Sequence, residues 1–215
     1  PVERTYSKRL EDLLRAAGHD VEVINSGVGN YNTEQEVAWF LERGAKFQPH
    51  YVVLNYFIND AEPTPQDRSN ILTRNLRALV YFASRADMAM RMFNAAERKD
   101  WRSYYASLYD EEGMRRVSAA VGRLATYCRD NRIQCMVANY PELRDPKNYA
   151  FTEVEEAVRR IAAGHQLRFV ELRPAVRDLP PETLWVTPPD PHPSAVAHEA
   201  FAKALAPVFE AQLKR

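Results

Sequence analysis

Several features that mark other classes of protein are missing from this sequence. Neither charge is in excess over the 215 residues, because 29 Lys and Arg balance 29 Asp and Glu. This balance provides no electrostatic drive toward nucleic acid or an anionic membrane surface. No apolar run approaches the roughly 20 residues that a membrane helix needs. We therefore expect no nucleic-acid partner and no stable membrane insertion.

Cysteine is scarce as well. Cys128 and Cys135 are the two cysteines, too few for a disulfide framework or a structural zinc site. We expect both to be free thiols in the interior and no metal to be bound. They do not fix the compartment, so a soluble protein of the cytoplasm and an exported one both remain open. Nothing in the sequence fixes the oligomeric state.

The hydrophobic pattern alternates between helical and strand-like spacing. Strands alternating with helices predict one α/β domain over residues 1–215, with a parallel sheet covered on both faces. Functional loops are then expected at the carboxyl ends of the strands. Thr33 and Glu36 have the spacing of a capping box for the second helix. The predicted helices span residues 5–17, 33–46, 114–131, 151–165 and 193–213, and the predicted strands span 21–24, 51–56, 133–138 and 168–172.

The stretch Asp190-Pro191-His192-Pro193 places a carboxylate two residues ahead of an imidazole. Its prolines bias the neighbouring residues toward extended conformations. In that arrangement Asp190 can orient His192, which then acts as a general base. The same residues are equally compatible with a turn followed by a helix cap.

Two further loops carry polar residues after predicted strands. Residues 25–33 are rich in glycine and asparagine, which tolerate positive φ and can aim backbone N–H groups into a cleft. Asn59-Asp60 follows the strand at 51–56, where a side-chain amide can donate to a developing negative charge. Taken singly, each loop is more typical of a turn or a cap. Asp60 is expected to fix its loop rather than to react.

Taken together and in this order, the three blocks resemble the SGNH, or GDSL-type, esterase and acylhydrolase superfamily over essentially the whole chain. The resemblance implies a flavodoxin-like three-layer α/β/α sandwich of the SGNH hydrolase type, with a parallel sheet and a helical insertion. It implies that His192 is the general base and Asp190 its orienting acid. The Asn59 side chain and the backbone N–H of Asn30 would be the oxyanion donors.

The same loops supply the candidate substrate contacts. Asn30 stands where members of the family have glycine, and asparagine tolerates positive φ better than other residues. His198 follows His192 by six residues with no acid two positions ahead of it, so we expect it to pack or cap. The residues expected to contact substrate are Gly29, Tyr31, Phe57 and Pro141.

The family's nucleophile block, Gly-Asp-Ser, has no counterpart in this sequence. The serines lie in unrelated contexts, and the opening residues are similar to the segment that follows the nucleophile in the family. We expect the natural protein to continue upstream with a strand and a Gly-Asp-Ser-like loop. Such a strand would occupy the centre of a parallel sheet, where its absence leaves backbone groups unpaired.

The resemblance implies a serine ester hydrolase that needs no cofactor and forms an acyl-enzyme. Its substrate would be a small acyl ester, such as an O-acetylated carbohydrate or a lipid-like ester. An O-acyltransferase with the same residues and a catalytically inactive binding module of the same fold are the alternatives. The excursion at residues 61–132 carries apolar stripes at 71–82 and 88–93. It either forms a cap that selects substrate or only packs on the sheet.

Overall fold

A parallel sheet of three strands organises the part of the chain that the computed structural model describes, residues 2–64, 101–187 and 190–213. Of Trp101, Asp190 and Pro191 it describes the backbone alone. The strands are β1 (Tyr51–Tyr56), β2 (Gln134–Asn139) and β3 (Arg168–Glu171), in that order across the sheet. The helices are α1 (Tyr6–Ala16), α2 (Thr33–Glu42), α3 (Trp101–Ser107), α4 (Glu111–Asp130), α5 (Thr152–Gly164) and α6 (Ala195–Leu213).

Helices cover both faces of this sheet, which confirms the predicted α/β/α sandwich. Successive side chains of a strand point to opposite faces. Met136 and Ala138 of β2 accordingly join one buried cluster with α1 and α6. Val137 joins a second cluster with α2, α4 and α5. No helix among the described residues is long and apolar enough to span a membrane.

Residues 21–24 do not form the predicted strand. They run without a ladder partner, and the side chains of α1 satisfy part of their backbone instead. Glu11 accepts a hydrogen bond from the Val23 N–H at 2.8 Å, and Arg15 Nε donates to the Val21 carbonyl at 2.7 Å. The β-branched composition favours a strand, but a strand needs a neighbour to pair with.

A cavity beside β1, which we call the β1 groove, offers space for such a neighbour. Residues 21–27 and β1 both line this cavity of about 740 Å³. Leu10 and Leu14 of α1 lie in one helix layer above it, and Phe40 of α2 lies in the opposite layer. Among the described residues, β1 pairs on its other side with β2.

The caps of the first two helices follow local side-chain chemistry. Thr5 caps α1, and Gly18 follows this helix at φ +90°. The capping box of α2 lies one residue earlier than predicted, because Asn32 and Gln35 form it rather than Thr33 and Glu36. This helix ends at Glu42 rather than continuing to residue 46, and a 3₁₀ turn at Gly44–Phe47 follows.

Residues 65–100, which contain the two apolar stripes, lie outside the described residues. The later part of the predicted excursion belongs to the sandwich itself. Val117, Val121 and Leu124 of α4 are buried against the sheet. Both cysteines are free, as predicted, with Cys128 buried and Cys135 half-buried.

A short antiparallel hairpin precedes α6 and holds the predicted base. It pairs β4 (Trp185–Thr187) with β5 (Asp190–Pro193), so the prolines lie in an extended strand. Ser194 joins this hairpin to α6. Its Oγ donates to the Thr183 carbonyl at 2.6 Å and accepts from the N–H groups of Val196 and Ala197 at 3.1 and 3.3 Å. Ser194, rather than His192, therefore caps the helix.

Replacing this cap tests how firmly the hairpin is joined to α6. Ser194→Ala is expected to lower the free energy of unfolding by about 1 kcal/mol, within a range of roughly 0.5–2 kcal/mol. Ser194→Asp should recover most of the loss because a carboxylate also accepts from the first N–H groups. Denaturant unfolding measures both, and the exposed neighbour Val196→Ala is the control, expected within about 0.5 kcal/mol of the parent. Equal stability of Ser194→Ala and the parent would contradict the assignment.

Candidate active site

Asn59 lies directly beyond the carboxyl end of β1, in the 3₁₀ turn Ile58–Ala61. The turn is fixed by Asp60, whose buried Oδ2 accepts a hydrogen bond from the Phe57 N–H at 2.9 Å. This agrees with the structural role expected of Asp60. Burial raises the pKa of this carboxyl, and the nearby Glu36 raises it further. Asn59 and Phe57 are both half-buried at this edge.

Asn30 adopts the left-handed conformation that its position requires, with φ of +65°. It sits in a turn closed by a hydrogen bond from the Tyr31 N–H to the Val28 carbonyl, at 3.3 Å. A second turn just before it is closed by the Asn25 side chain, which accepts from the Gly27 N–H at 3.1 Å. Gly29 and Asn30 are exposed and Tyr31 is half-buried. Asn30 thus adopts the positive φ that glycine, the family's residue at this position, adopts freely.

His192 lies in β5 with its side chain exposed. Asp190 precedes it by two residues in the same strand, opposite Thr187 of β4. The hairpin thus holds the backbone of both residues in the extended conformation that the prolines predicted.

A chain of side-chain contacts brings the start of α6 to the carboxyl edge of the sheet. Asn55 near the end of β1 donates from Nδ2 to the Tyr6 hydroxyl at 2.6 Å. The Tyr6 ring stacks on His198, with ring centroids 6.4 Å apart, and lies 5.5 Å from the ring of Tyr140, which directly follows β2. His198 packs, as predicted, and its burial lowers its pKa. Since His192 precedes α6 by three residues, its hairpin joins the helix at this edge.

The loop after β2 also reaches this edge. Pro141 is buried rather than open to a cleft. The buried carboxylate of Glu142 is paired with Arg144 at 2.6 Å. The Glu142 N–H also donates to the Tyr149 hydroxyl at 3.1 Å. Burial raises the pKa of Glu142, and the bonds to Arg144 oppose that rise.

Two residues that the sequence analysis did not single out for the site lie beneath the loop of Asn30. The Glu36 and Asn55 side chains line a small cavity of about 70 Å³ together with residues 26–28 and Tyr31. Burial raises the pKa of Glu36 to about 8. In the sequence, Glu36 has the spacing of a capping residue relative to Thr33. That spacing accounts for the residue and gives no sign of another role. Asn55 is a polar residue within an otherwise apolar strand, and that exception was the signal available.

Nothing in the described ranges groups three or more His, Cys, Asp or Glu side chains as a metal site. Three short segments instead contribute an exposed imidazole at His192, a side-chain amide at Asn59 and a residue with positive φ at Asn30. These are the kinds of group that acyl transfer uses.

Comparison with known proteins bears on the family of this chain. No curated protein matches the chain. A sequence model of the GDSL-like Lipase/Acylhydrolase family matches residues 2–200, nearly the whole chain, and so extends across all three loops. The chain therefore belongs to the GDSL-like lipase and acylhydrolase family, whose members are in general ester hydrolases.

Proposed function

We propose that the protein cleaves a small acyl ester through a covalent acyl-enzyme. His192 is the general base, Asp190 orients it, and the Asn59 amide and the Asn30 N–H bind the oxyanion. The observation that carries the proposal is the contact chain Asn55–Tyr6–His198. It joins the end of β1, which Asn59 follows, to the first turns of α6, which His192 precedes.

The nucleophile in this proposal is a serine ahead of residue 1. Three serines of the described chain are engaged elsewhere, since Ser7 is buried, Ser118 contacts His165 at 3.0 Å, and Ser194 caps α6. The β1 groove supports this placement, because its upper wall is α1 and its end near Asn55 lies beside Tyr6, at the start of α1. A strand in this groove would deliver a serine to the edge where His192 and Asn59 lie.

The reaction then proceeds in two steps, acylation of the serine and deacylation by water. The serine oxygen attacks the ester carbonyl while His192 takes its proton, and the carbonyl oxygen gains the negative charge that Asn59 and Asn30 stabilise. Collapse breaks the bond to the alkoxide, which leaves as the alcohol with the proton from His192. Water, activated by the same imidazole, hydrolyses the acyl-enzyme and regenerates the serine. Asp190 holds the ring orientation and stabilises the imidazolium.

Labelling with a fluorophosphonate tests the base and the nucleophile together. The full-length natural protein should gain one adduct on a serine upstream of these 215 residues, and His192→Ala should lose it, because the serine is no longer activated. Intact mass and peptide mapping measure this, and His50→Ala, which removes another exposed imidazole, should label as the parent does. An adduct on a serine within the sequence would reject the assignment. The absence of any adduct would favour an inactive binding module.

Removing one oxyanion donor should slow turnover without removing the nucleophile. Asn59→Ala is expected to lower kcat for p-nitrophenyl acetate on the order of 100- to 1,000-fold, because the oxyanion loses a preorganised donor. Asn131→Ala is the control, since Asn131 is exposed and follows α4 at the opposite edge of the sheet. A change of less than about threefold in Asn59→Ala would remove Asn59 from the oxyanion hole.

The left-handed loop makes a separate prediction. Asn30→Gly should keep or raise kcat, because glycine adopts positive φ freely and retains the N–H. Asn30→Val should lower kcat and destabilise the protein by about 1–2 kcal/mol, since a β-branched residue is strained at φ of +65°. Steady-state kinetics and denaturant unfolding of both variants measure the two effects. If Asn30→Val matches the parent in both, this N–H has no role.

A further inference from the structure

Two of the buried oxygen atoms that have no hydrogen-bond partner among the described residues belong to side chains that line one cavity beside the candidate site. They are Glu36 Oε2 and Asn55 Oδ1. Both side chains line the same cavity of about 70 Å³ under residues 26–28. A buried acceptor that lacks a donor costs free energy, so two such atoms facing one small cavity call for an explanation.

The surroundings of this cavity show which kind of group would satisfy the two oxygens. Its described lining contains no Lys, Arg or His side chain, and is otherwise mostly apolar. Nothing in that lining compensates a charge on Glu36, and burial accordingly favours its neutral form. A partner with N–H or O–H donors would fill the acceptor capacity that the Asn55 carbonyl oxygen and the Glu36 carboxyl retain.

The small cavity also opens toward the larger β1 groove. Ser26, Gly27, Phe40, Val53 and Asn55 line both. Residues 21–27 and β1 both line the groove, and among the described residues β1 pairs only with β2, so one further strand could pair with β1 here. A strand carries backbone N–H groups along both edges, which are the donors that the two oxygens lack.

The direction of such a strand follows from the contact between Asn55 and Tyr6, at 2.6 Å. A strand running parallel to β1 would end beside Asn55 and therefore beside the start of α1. A short loop then suffices to join the two. The occupant that fits this geometry is the nucleophile-bearing segment itself.

We propose that Glu36 and Asn55 are positioning residues that accept hydrogen bonds from the nucleophile-bearing segment where it leaves the β1 groove. This inference rests on the proposed function, because that function supplies the segment. The two side chains fix the height and angle at which the serine loop turns toward His192. They do not touch the reacting atoms.

Kinetics of the full-length protein test this role. Glu36→Ala and Asn55→Ala are each expected to lower kcat for p-nitrophenyl acetate on the order of 10- to 100-fold, because a misplaced nucleophile reacts slowly. KM should change by less than about threefold, since substrate binding is untouched. Glu36→Gln should recover most of the loss because it keeps an acceptor oxygen. Glu42→Ala, an exposed residue of the same helix, is the control, and unchanged kcat in Glu36→Ala and Asn55→Ala would overturn the proposal.

Hydrogen exchange separates this proposal from the proposed function. In the full-length protein, the amides of residues 51–56 should all exchange slowly at any protein concentration, and Glu36→Ala should speed their exchange. Fast exchange of part of them would mean that the groove is open, and protection that grows with concentration would assign it to a second copy; either result overturns the proposal. If fluorophosphonate does not label the parent protein while slow exchange persists, the proposed function fails. The inference that a strand fills the β1 groove then stands without it.

Discussion

The pairing of β1 is the constraint on which the rest of the structure depends. A parallel strand between two helix layers is buried on both faces, so its backbone groups need partners within the sheet. β2 supplies those partners on one side. On the other side, the β1 groove separates β1 from residues 21–27, whose backbone is held by Glu11 and Arg15 of α1 instead. Residues of both helix layers line this space, Leu10 and Leu14 from one and Phe40 from the other.

The same constraint sets the position of the candidate chemistry. Because the strands are parallel, the loops that follow β1 and β2 meet at one edge of the sheet. α1 begins at that edge through Tyr6, and α6 begins there through His198. The hairpin that carries His192 is then held by the Ser194 cap. The position of the candidate site thus depends on where these two helices start, as well as on the loops.

Much of the fold could be predicted from the sequence, because long segments of periodic hydrophobicity indicate helices and glycines mark where helices end. The capping box of α2 was placed one residue late, since Asn32 and Thr33 are both good caps and only the backbone decides between them. The prediction of a strand at residues 21–24 was wrong. A strand forms only with a pairing partner, and that partner is distant in sequence, so local residue types do not reveal it. The hairpin of β4 and β5 escaped prediction since three-residue strands rich in proline carry no periodic signal.

The candidate site divides in the same way. The candidate residues lie in short segments whose residue types are informative by themselves: Asp190 and His192 in β5, Asn59 in a 3₁₀ turn and Asn30 in a left-handed turn. Asn55 stands out in the sequence only as a polar residue in an apolar strand, and Glu36 becomes conspicuous only when burial shows an oxygen atom without a partner. The most direct test of the account is a crystal structure of the full-length protein after reaction with a fluorophosphonate. It should show a modified serine at the end of a strand beside β1, within about 3.2 Å of His192 Nε2, with the phosphonyl oxygen about 3 Å from Asn59 Nδ2 and the Asn30 N–H. A modified serine elsewhere, or a β1 groove without a strand, would contradict it.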